Sequence, residues 1–248
     1  MRLLRLEDFS LVEVVGKNIP RYAVLSHTWG PDQEEVTYKD IVKGTGKNKA
    51  GYAKIQFCER QASLDSLQYI WVDTCCINKS SSAELSEAIN SMFSWYQRAE
   101  RCYVYLSDVR RDNSGESDPF PRHIWTSAFR NSRWFTRGWT LQELLAPTMI
   151  GFFSTDGHLL GNRASLLQEI HEATEISIEA LLGRKLLSHF SVDERMLWAK
   201  GRETKREEDA AYSLLGIFDI HMPLIYGEGR NKALRRLRRE IRDRSFNP

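Results

Sequence analysis

The chain has 248 residues, of which 42% are hydrophobic and 27% charged, and 35 Lys and Arg against 33 Asp and Glu give a formal net charge of +2. This composition is typical of a soluble globular protein, and its charge balance gives no support to nucleic-acid binding over the whole surface. No apolar run approaches the roughly 20 residues that cross a bilayer, and the first segment contains acidic residues, unlike a secretory signal. We therefore expect a cytoplasmic protein without a membrane segment.

The cysteines and histidines indicate neither a disulfide framework nor a metal site. Cys75 and Cys76 are adjacent and lack the spacing of a zinc motif, and without a basic neighbour in sequence they are expected to be small buried residues. His171 and Glu172 are not followed by the second histidine of a metalloprotease motif. The sequence also lacks the glycine-rich phosphate loops and the serine-hydrolase motif, which argues against those mechanisms.

Short apolar runs alternate with helical patterns, which is typical of βαβ units around a mostly parallel sheet. Strands are predicted at residues 22–26, 69–73, 102–106 and 149–153. The first two strands end in loops of small and polar residues. We therefore expect an α/β fold with a mostly parallel sheet flanked by helices.

Helix signals complete the first part of the chain. Ser81 and Glu84 have the spacing of a capping box, which predicts a helix over 81–98. A second helix is predicted over 137–145, ending before Pro147. The charged segment 110–121, with Gly and Pro, is predicted to be an exposed insertion.

The strand signal fades after residue 163, and short helices are predicted instead. Two further capping boxes mark helix starts, one at Ser191 with Glu194 and one at Thr204 with Glu207. A basic helix over 231–244 is predicted to be solvated or interdomain and not a nucleic-acid contact, because acidic residues interrupt it and aromatic residues are missing. We expect an α/β core over residues 1–160 and a helical annex over 161–248, which packs on the core or leads to a following domain.

Polar side chains follow the predicted strands where an open parallel sheet binds its ligands, outside the carboxyl ends. The start of the 137–145 helix is expected beside them, so that a carboxylate and an indole line a cleft. The candidate residues are Ser26, His27, Trp29, Asp73, Cys75, Trp139 and Glu143.

Each candidate also has a purely structural interpretation. Glu143 stands at capping-box spacing from Thr140, and a glutamate on a polar helix face is usually solvated. Trp139 is of a type that more often packs in the core, and Asp73 is able to accept hydrogen bonds in the turn after its strand. His27 has the chemistry of a general base, but no nucleophile is evident to partner it. These alternatives stay open at the level of the residues.

Three segments, in this order, resemble the fungal heterokaryon-incompatibility (HET) domain: YAVLSHTWG at 22–30, YIWVDTCCIN at 69–78 and RWFTRGWTLQE at 133–143. The resemblance covers residues 22 to about 153. The segments 207–218 and 223–229 are similar to the continuation of HET proteins that also carry a nucleotide-binding oligomerisation domain and a repeat sensor. The resemblance implies an N-terminal effector module, with such domains following it in a longer protein.

The HET family is distantly similar to Toll/interleukin-1 receptor (TIR) domains, many of which cleave NAD. This likeness implies a TIR-like, that is flavodoxin-like, arrangement of the sheet. Residues 23–26 and 70–73 look like the first two TIR strands, and residues 139–144 look like the TIR helix that carries the catalytic glutamate. This match gives Glu143 the catalytic role. The chain departs from TIR domains at Thr28 and Trp29, where an arginine is common, and at 74–76, where an acidic loop is common, so the substrate contacts carry over poorly.

The resemblance implies a cell-death effector that hydrolyses NAD to nicotinamide and ADP-ribose once it forms a homo-oligomer, with NAD as substrate and no cofactor. The expected substrate-binding residues are Ser26, His27, Trp29, Asp73, Cys75 and Trp139. The alternative is a non-enzymatic death-signalling module that acts by self-association or by recruiting a partner. A nuclease is disfavoured, because the sequence shows no clustered carboxylates for a metal.

Overall fold

The computed structural model describes residues 1–16, 18–111 and 123–246. Within these ranges, seven strands form one sheet. In chain order the strands are β1 (Arg2–Arg5), β2 (Leu11–Glu13), β3 (Ala23–His27), β4 (Tyr69–Trp71), β5 (Arg101–Tyr105), β6 (Ile150–Phe153) and β7 (Leu159–Asn162). The four predicted strands correspond to β3, β4, β5 and β6.

The sheet has a parallel centre and antiparallel edges, in the order β2-β1-β4-β3-β5-β6-β7. The strands β4, β3, β5 and β6 pair in parallel. The strands β1 and β2 extend the β4 edge, and β7 extends the β6 edge, all in antiparallel pairing. The α/β prediction is confirmed. The strands β1, β2 and β7 were not predicted, because each has only two apolar residues in a row and also contains charged residues, Gly or Asn.

The strand β3 lies at the centre and all five of its residues are buried. Both faces of a central parallel strand are covered by helices, which accounts for its apolar start at Ala23, Val24 and Leu25. The two last residues, Ser26 and His27, are polar and still buried. The chain reaches β4 on one side of β3 and then crosses to β5 on the other, so the strand order reverses at the end of β3, where such sheets bind ligands.

The helices within the described ranges cover the sheet and continue beyond it. They are α1 (Tyr38–Lys43), α2 (Tyr52–Leu64), α3 (Ser82–Arg98), α4 (His123–Arg130), α5 (Thr140–Leu145), α6 (Leu167–Thr174), α7 (Ile178–Leu181), α8 (Val192–Leu197), α9 (Asp209–Tyr212), α10 (Leu215–Phe218) and α11 (Arg230–Phe246). The helix α3 starts as predicted, because the Ser81 side chain accepts a hydrogen bond from the Glu84 amide. Most of the predicted insertion, residues 112–121, lies outside the described residues.

The predicted helix over 137–145 is shorter than expected. A 3₁₀ turn covers Arg133–Thr136, and α5 begins only at Thr140. The residues between them are held by a later part of the chain: Arg137 forms a parallel bridge with Glu203, and the Gly138 amide donates to the Glu203 carbonyl at 2.8 Å. The C-terminal helices are therefore joined to the start of α5 through the backbone.

The chain after β7 consists, in its described part, of helices and the turns that join them. The boundary expected after residue 160 falls inside β7, so the sheet extends slightly past it. Ser191 and Glu194 form the predicted capping box of α8. The second box is wrong: the Thr204 hydroxyl donates to the Arg206 carbonyl at 2.7 Å, and the next helix starts only at Asp209. The segment that joins the annex to α5 is thus a turn and not a helix.

Candidate active site

A cavity of about 240 Å³ opens where the strand order reverses. Its walls come from the ends of β3 and β4, one face of α3, the start of α5 and the C-terminal segment. The polar and aromatic residues that line it are His27, Thr28, Trp29, Asp73, Lys79, Tyr96, Arg137, Trp139, Thr140, Glu143, Lys205, Arg206, Asp209 and Tyr226. This is the position at which an open parallel sheet is expected to bind a ligand.

The Glu143 carboxyl reaches this cavity from the first turn of α5 and is 94% buried, with 6% of its surface exposed. Its Oε2 accepts a hydrogen bond from the Ser26 hydroxyl at 2.5 Å, and Ser26 Oγ in turn accepts from Trp134 Nε1 at 2.8 Å. The alternative capping box with Thr140 is not formed, because Thr140 Oγ1 lies 2.6 Å from the Trp134 carbonyl. Glu143 is therefore directed inward by a side chain of the central strand.

Burial raises the pKa of Glu143 to about 8, and the Ser26 hydrogen bond only partly opposes this, while the Asp73 charge adds to it. At neutral pH the carboxyl thus keeps its proton. A positive charge brought into the cavity favours its ionisation, because an opposite charge nearby stabilises the carboxylate. Glu143 is accordingly an acid whose charge depends on what enters the cavity.

His27 brings a neutral imidazole to the same cavity. Its side chain is only 2% exposed, and burial holds its pKa well below the ordinary value. Its Nε2 lies 3.9 Å from Asp73 Oδ1 and 4.0 Å from Glu35 Oε2, beyond hydrogen-bond length. Among the described residues neither ring nitrogen has a hydrogen-bond partner. A buried imidazole with two unsatisfied nitrogens is suited to bind a polar group.

Trp29 and Asp73 hold each other at the cavity edge. Trp29 Nε1 donates to Asp73 Oδ2 at 3.0 Å, so this carboxylate is bound across two loops and not only within its own turn. The Lys79 ammonium lies 3.6 Å from the centre of the Trp29 ring and 3.7 Å from Asp73 Oδ2. Burial raises the pKa of Asp73, and the Lys79 charge opposes that shift. We call Ser26, His27, Asp73 and Glu143 the inner cluster.

The other side of the cavity comes from the C-terminal segment, which the sequence analysis did not assign to the site. We call Lys205, Arg206, Asp209 and Tyr226 the outer cluster. The two oxygens of Asp209 accept from Trp139 Nε1 at 3.2 Å and from the Tyr226 hydroxyl at 3.0 Å. Arg206 stacks on Tyr226 with its guanidinium 4.1 Å from the ring centre. The segments 207–218 and 223–229 stood out only through their resemblance to HET proteins.

A buried arginine links the two sides. The Arg202 guanidinium donates to the Arg137 carbonyl at 2.9 Å and to Thr140 Oγ1 at 3.0 Å. Burial lowers the pKa of Arg202 to about 10, and the nearby Glu143 charge opposes that shift. The C-terminal segment thereby fixes the start of the helix that carries Glu143.

Of the seven residues predicted for the site, His27, Trp29, Asp73, Trp139 and Glu143 line the cavity. Ser26 is fully buried behind Glu143 and positions it. Cys75 does not line the cavity, because it is fully buried beside Cys76.

Two further properties of the described ranges bear on the class of protein. No group of three or more His, Cys, Asp and Glu side chains in them is arranged to hold a metal ion. No helix in the same ranges has the length and apolar character that a bilayer-spanning segment needs.

Comparison with known proteins identifies the family. Residues 22–123 match the family model described as "Heterokaryon incompatibility protein (HET)". The chain is 55% identical over 246 residues to the "Vegetative incompatibility protein HET-E-1" of Podospora anserina, an alignment that covers 97% of this chain and 18% of that protein. The chain thus spans less than a fifth of the length of this relative. No solved structure gives a significant match. With its characteristic segments meeting around one cavity, this chain carries a heterokaryon-incompatibility (HET) domain.

Proposed function

We propose that this HET domain is a cell-death effector of fungal vegetative incompatibility and that it acts by hydrolysing NAD. The HET family match and the 55% identity to a vegetative incompatibility protein support the incompatibility role. Because the chain spans only 18% of that relative, the cytoplasmic location, the homo-oligomer and the nucleotide-binding and repeat domains that follow are part of the proposal.

The observation that carries the NAD hydrolysis is the Glu143 carboxyl, which opens into the same cavity as His27 and Asp73. In the reaction, the bond between the ribose C1′ and the nicotinamide nitrogen breaks, and its electron pair neutralises the pyridinium. Nicotinamide therefore leaves without a general acid. Positive charge builds up on the ribose, and a carboxylate stabilises such a centre, as in glycoside hydrolysis.

The raised pKa of Glu143 fits a cationic substrate. Until a cation approaches, the carboxyl is largely protonated at neutral pH, since its pKa is about 8. The pyridinium of NAD lowers that pKa and favours the carboxylate that the transition state needs. Water then adds to C1′ and releases a proton, which yields ADP-ribose.

The remaining groups fit binding of the nicotinamide and its ribose. His27 offers one donor and one acceptor nitrogen, both unsatisfied by the described residues. Trp29 and Trp139 line the cavity and offer aromatic surface. The volume of about 240 Å³ is below the roughly 300–1,000 Å³ of sites for drug-sized ligands, so the cavity suits one end of a dinucleotide.

The test is nicotinamide release from NAD by the purified protein over a range of concentrations, because activity is expected to need self-association. Glu143→Gln keeps the shape of the side chain and removes its charge, so we expect release to fall at least about 100-fold. The matched control is Glu172→Gln, an exposed glutamate of α6 that pairs with Arg130 at 3.0 Å and does not line the cavity.

Equal release by the parent and Glu143→Gln, or no release at any concentration, would contradict the enzyme proposal. If both proteins then killed fungal cells equally well, the non-enzymatic module that acts by self-association would replace it.

A further inference from the structure

A second depression adjoins the cavity and shares part of its wall. This groove has a volume of about 400 Å³ and lies between the loop that leads into α1 and the loop after β4. Trp29, Ile77, Lys79 and Lys205 line both the groove and the cavity. A ligand too long for the cavity can therefore continue into the groove past these four side chains.

Two lysines stand at the shared boundary, each beside a carboxylate. Lys79 lies against the Trp29 ring and is 3.7 Å from Asp73 Oδ2, and 35% of its side chain is exposed. Lys205 forms an exposed ion pair with Asp32. Such an ion pair contributes little to stability, so the ammonium group remains available to an anion. Two lysines at the junction of two depressions suit a pair of linked phosphates.

The groove has the chemistry of a nucleoside site. Its hydroxyl and amide groups come from Thr37, Asn78 and Ser80, and Tyr38 adds an aromatic ring. Asp32 supplies a carboxylate of the kind that accepts hydrogen bonds from ribose hydroxyls. These groups line the groove and not the cavity, whereas Glu143 lines the cavity and not the groove.

We infer that the groove binds the adenosine half of the dinucleotide and that the Lys79 and Lys205 ammonium groups bind its two phosphates. This inference rests on the proposed NAD hydrolysis and says where the rest of the substrate lies. The nicotinamide riboside half then occupies the cavity with Glu143, and the phosphates bridge the two depressions.

The test uses ADP, which carries the adenosine and two phosphates but has no bond to hydrolyse. Binding is measured by calorimetry with the whole chain. We expect Lys205→Ala and Lys79→Ala each to weaken ADP binding about 5- to 10-fold, because each removes a charge-assisted contact. Lys205 is largely exposed, so its variant keeps the fold even if Lys79→Ala does not. The matched control, Lys200→Ala, is an exposed lysine outside both depressions and should change nothing.

The substrate series gives a second readout. In Lys205→Ala, the KM for NAD should rise by a larger factor than the KM for nicotinamide riboside, because the second substrate lacks the phosphates and the adenosine.

The possible results separate this inference from the proposed function. If ADP does not bind, or binds equally to the parent and both lysine variants, the groove assignment is overturned even where NAD is hydrolysed. If ADP binds in a lysine-dependent way and NAD is not hydrolysed, the proposed reaction fails and the groove stands as a nucleotide site. The Glu143→Gln variant should bind ADP like the parent in either case.

Discussion

The inner and outer clusters build opposite sides of one cavity by different means. The inner cluster sits on the central strand, the end of β4 and α5, and Ser26 and His27 are almost inaccessible. The outer cluster lies on turns and short helices, where Lys205 and Arg206 are exposed. The inner cluster thus lies on the central elements of the fold, while the exposed cations Lys205 and Arg206 lie at the rim of the cavity.

The two clusters also differ in how their polar groups are satisfied. In the outer cluster, both Asp209 oxygens accept a hydrogen bond from the described residues. In the inner cluster, His27 has two unsatisfied nitrogens, and the pKa of Glu143 is raised to about 8. Burying polar groups without full partners costs stability. We interpret this difference as favouring a ligand beside the inner cluster, whereas Asp209 of the outer cluster is fully bonded within the fold.

The largest expected effect is a change of stability with pH, which measures the cost of burying the Glu143 carboxyl. The folded protein binds the Glu143 proton more tightly than the unfolded chain, since burial raises the pKa from its ordinary value of 4.5 to about 8. Stability should therefore fall as the pH rises from about 5 to 8. Glu143→Gln has no proton to lose, so its advantage over the parent should grow by roughly 3 kcal/mol over this range.

Denaturant unfolding of the parent and Glu143→Gln at pH 5.5 and pH 8.5 measures this difference. The exposed control Glu172→Gln should follow the parent at both pH values. If the Glu143→Gln and parent curves stay parallel, Glu143 carries no buried proton, and the contrast between the two clusters loses its main support.

A smaller effect on stability is expected from Ser26→Ala. This variant tests whether Ser26 positions Glu143 within the inner cluster. The change leaves Trp134 Nε1 without its acceptor and should cost about 1–3 kcal/mol of unfolding free energy. It also removes the hydrogen bond that lowers the pKa of Glu143, so that pKa should rise further. The pH at which nicotinamide release reaches half its maximum should move upward.

The matched control for this change is Ser154→Ala, another fully buried serine, whose hydroxyl bonds to the backbone of His158. We expect it to lower stability without moving the pH profile. A pH profile of Ser26→Ala that matches the parent would show that Ser26 does not position Glu143.

The smallest expected effect is a partial recovery of stability by a second change at the junction between the clusters. A Cβ at Gly138 would lie 2.5 Å from the Thr204 methyl carbon, so Gly138→Ala should cost about 1–3 kcal/mol by overpacking. Thr204→Ser removes that methyl group and keeps the hydroxyl that donates to the Arg206 carbonyl. The double variant should recover part of the loss, as measured by thermal unfolding, whereas strictly additive effects would mean that the two residues are not packed against each other.

The pattern of apolar and capping residues within each segment was sufficient to predict the central strands and the helix α3. Each of β3 to β6 has its own apolar run, and α3 has both a cap at Ser81 and a buried stripe, so each element is readable within its own residues. The edge strands β1, β2 and β7 lack such a run, because each has only two apolar residues in a row beside charged residues, Gly or Asn. The capping box predicted at Thr204 and Glu207 was wrong, because residues at capping-box spacing also occur by chance. The local conformation is set instead by the backbone pairing of Glu203 with Arg137.

For the site, the residues and the HET resemblance pointed to the loops after β3 and β4 and to the start of α5, which line one cavity. They left the outer cluster unassigned. Glu143 and Ser26 are 117 positions apart, and Trp139 and Asp209 are 70 apart. No local pattern encodes such pairs. Cys75 was predicted to be a site residue because it follows a strand, but its side chain is fully buried and does not line the cavity.

Residue order and type were therefore enough to predict the parallel centre of the sheet, the helix α3 and the two loops that line the cavity. Those features depend on neighbours along the chain. The inward direction of Glu143, its raised pKa and the C-terminal half of the cavity could be learned only from the folded chain. They depend on burial and on charges supplied by distant segments, and these act only once the segments have packed together.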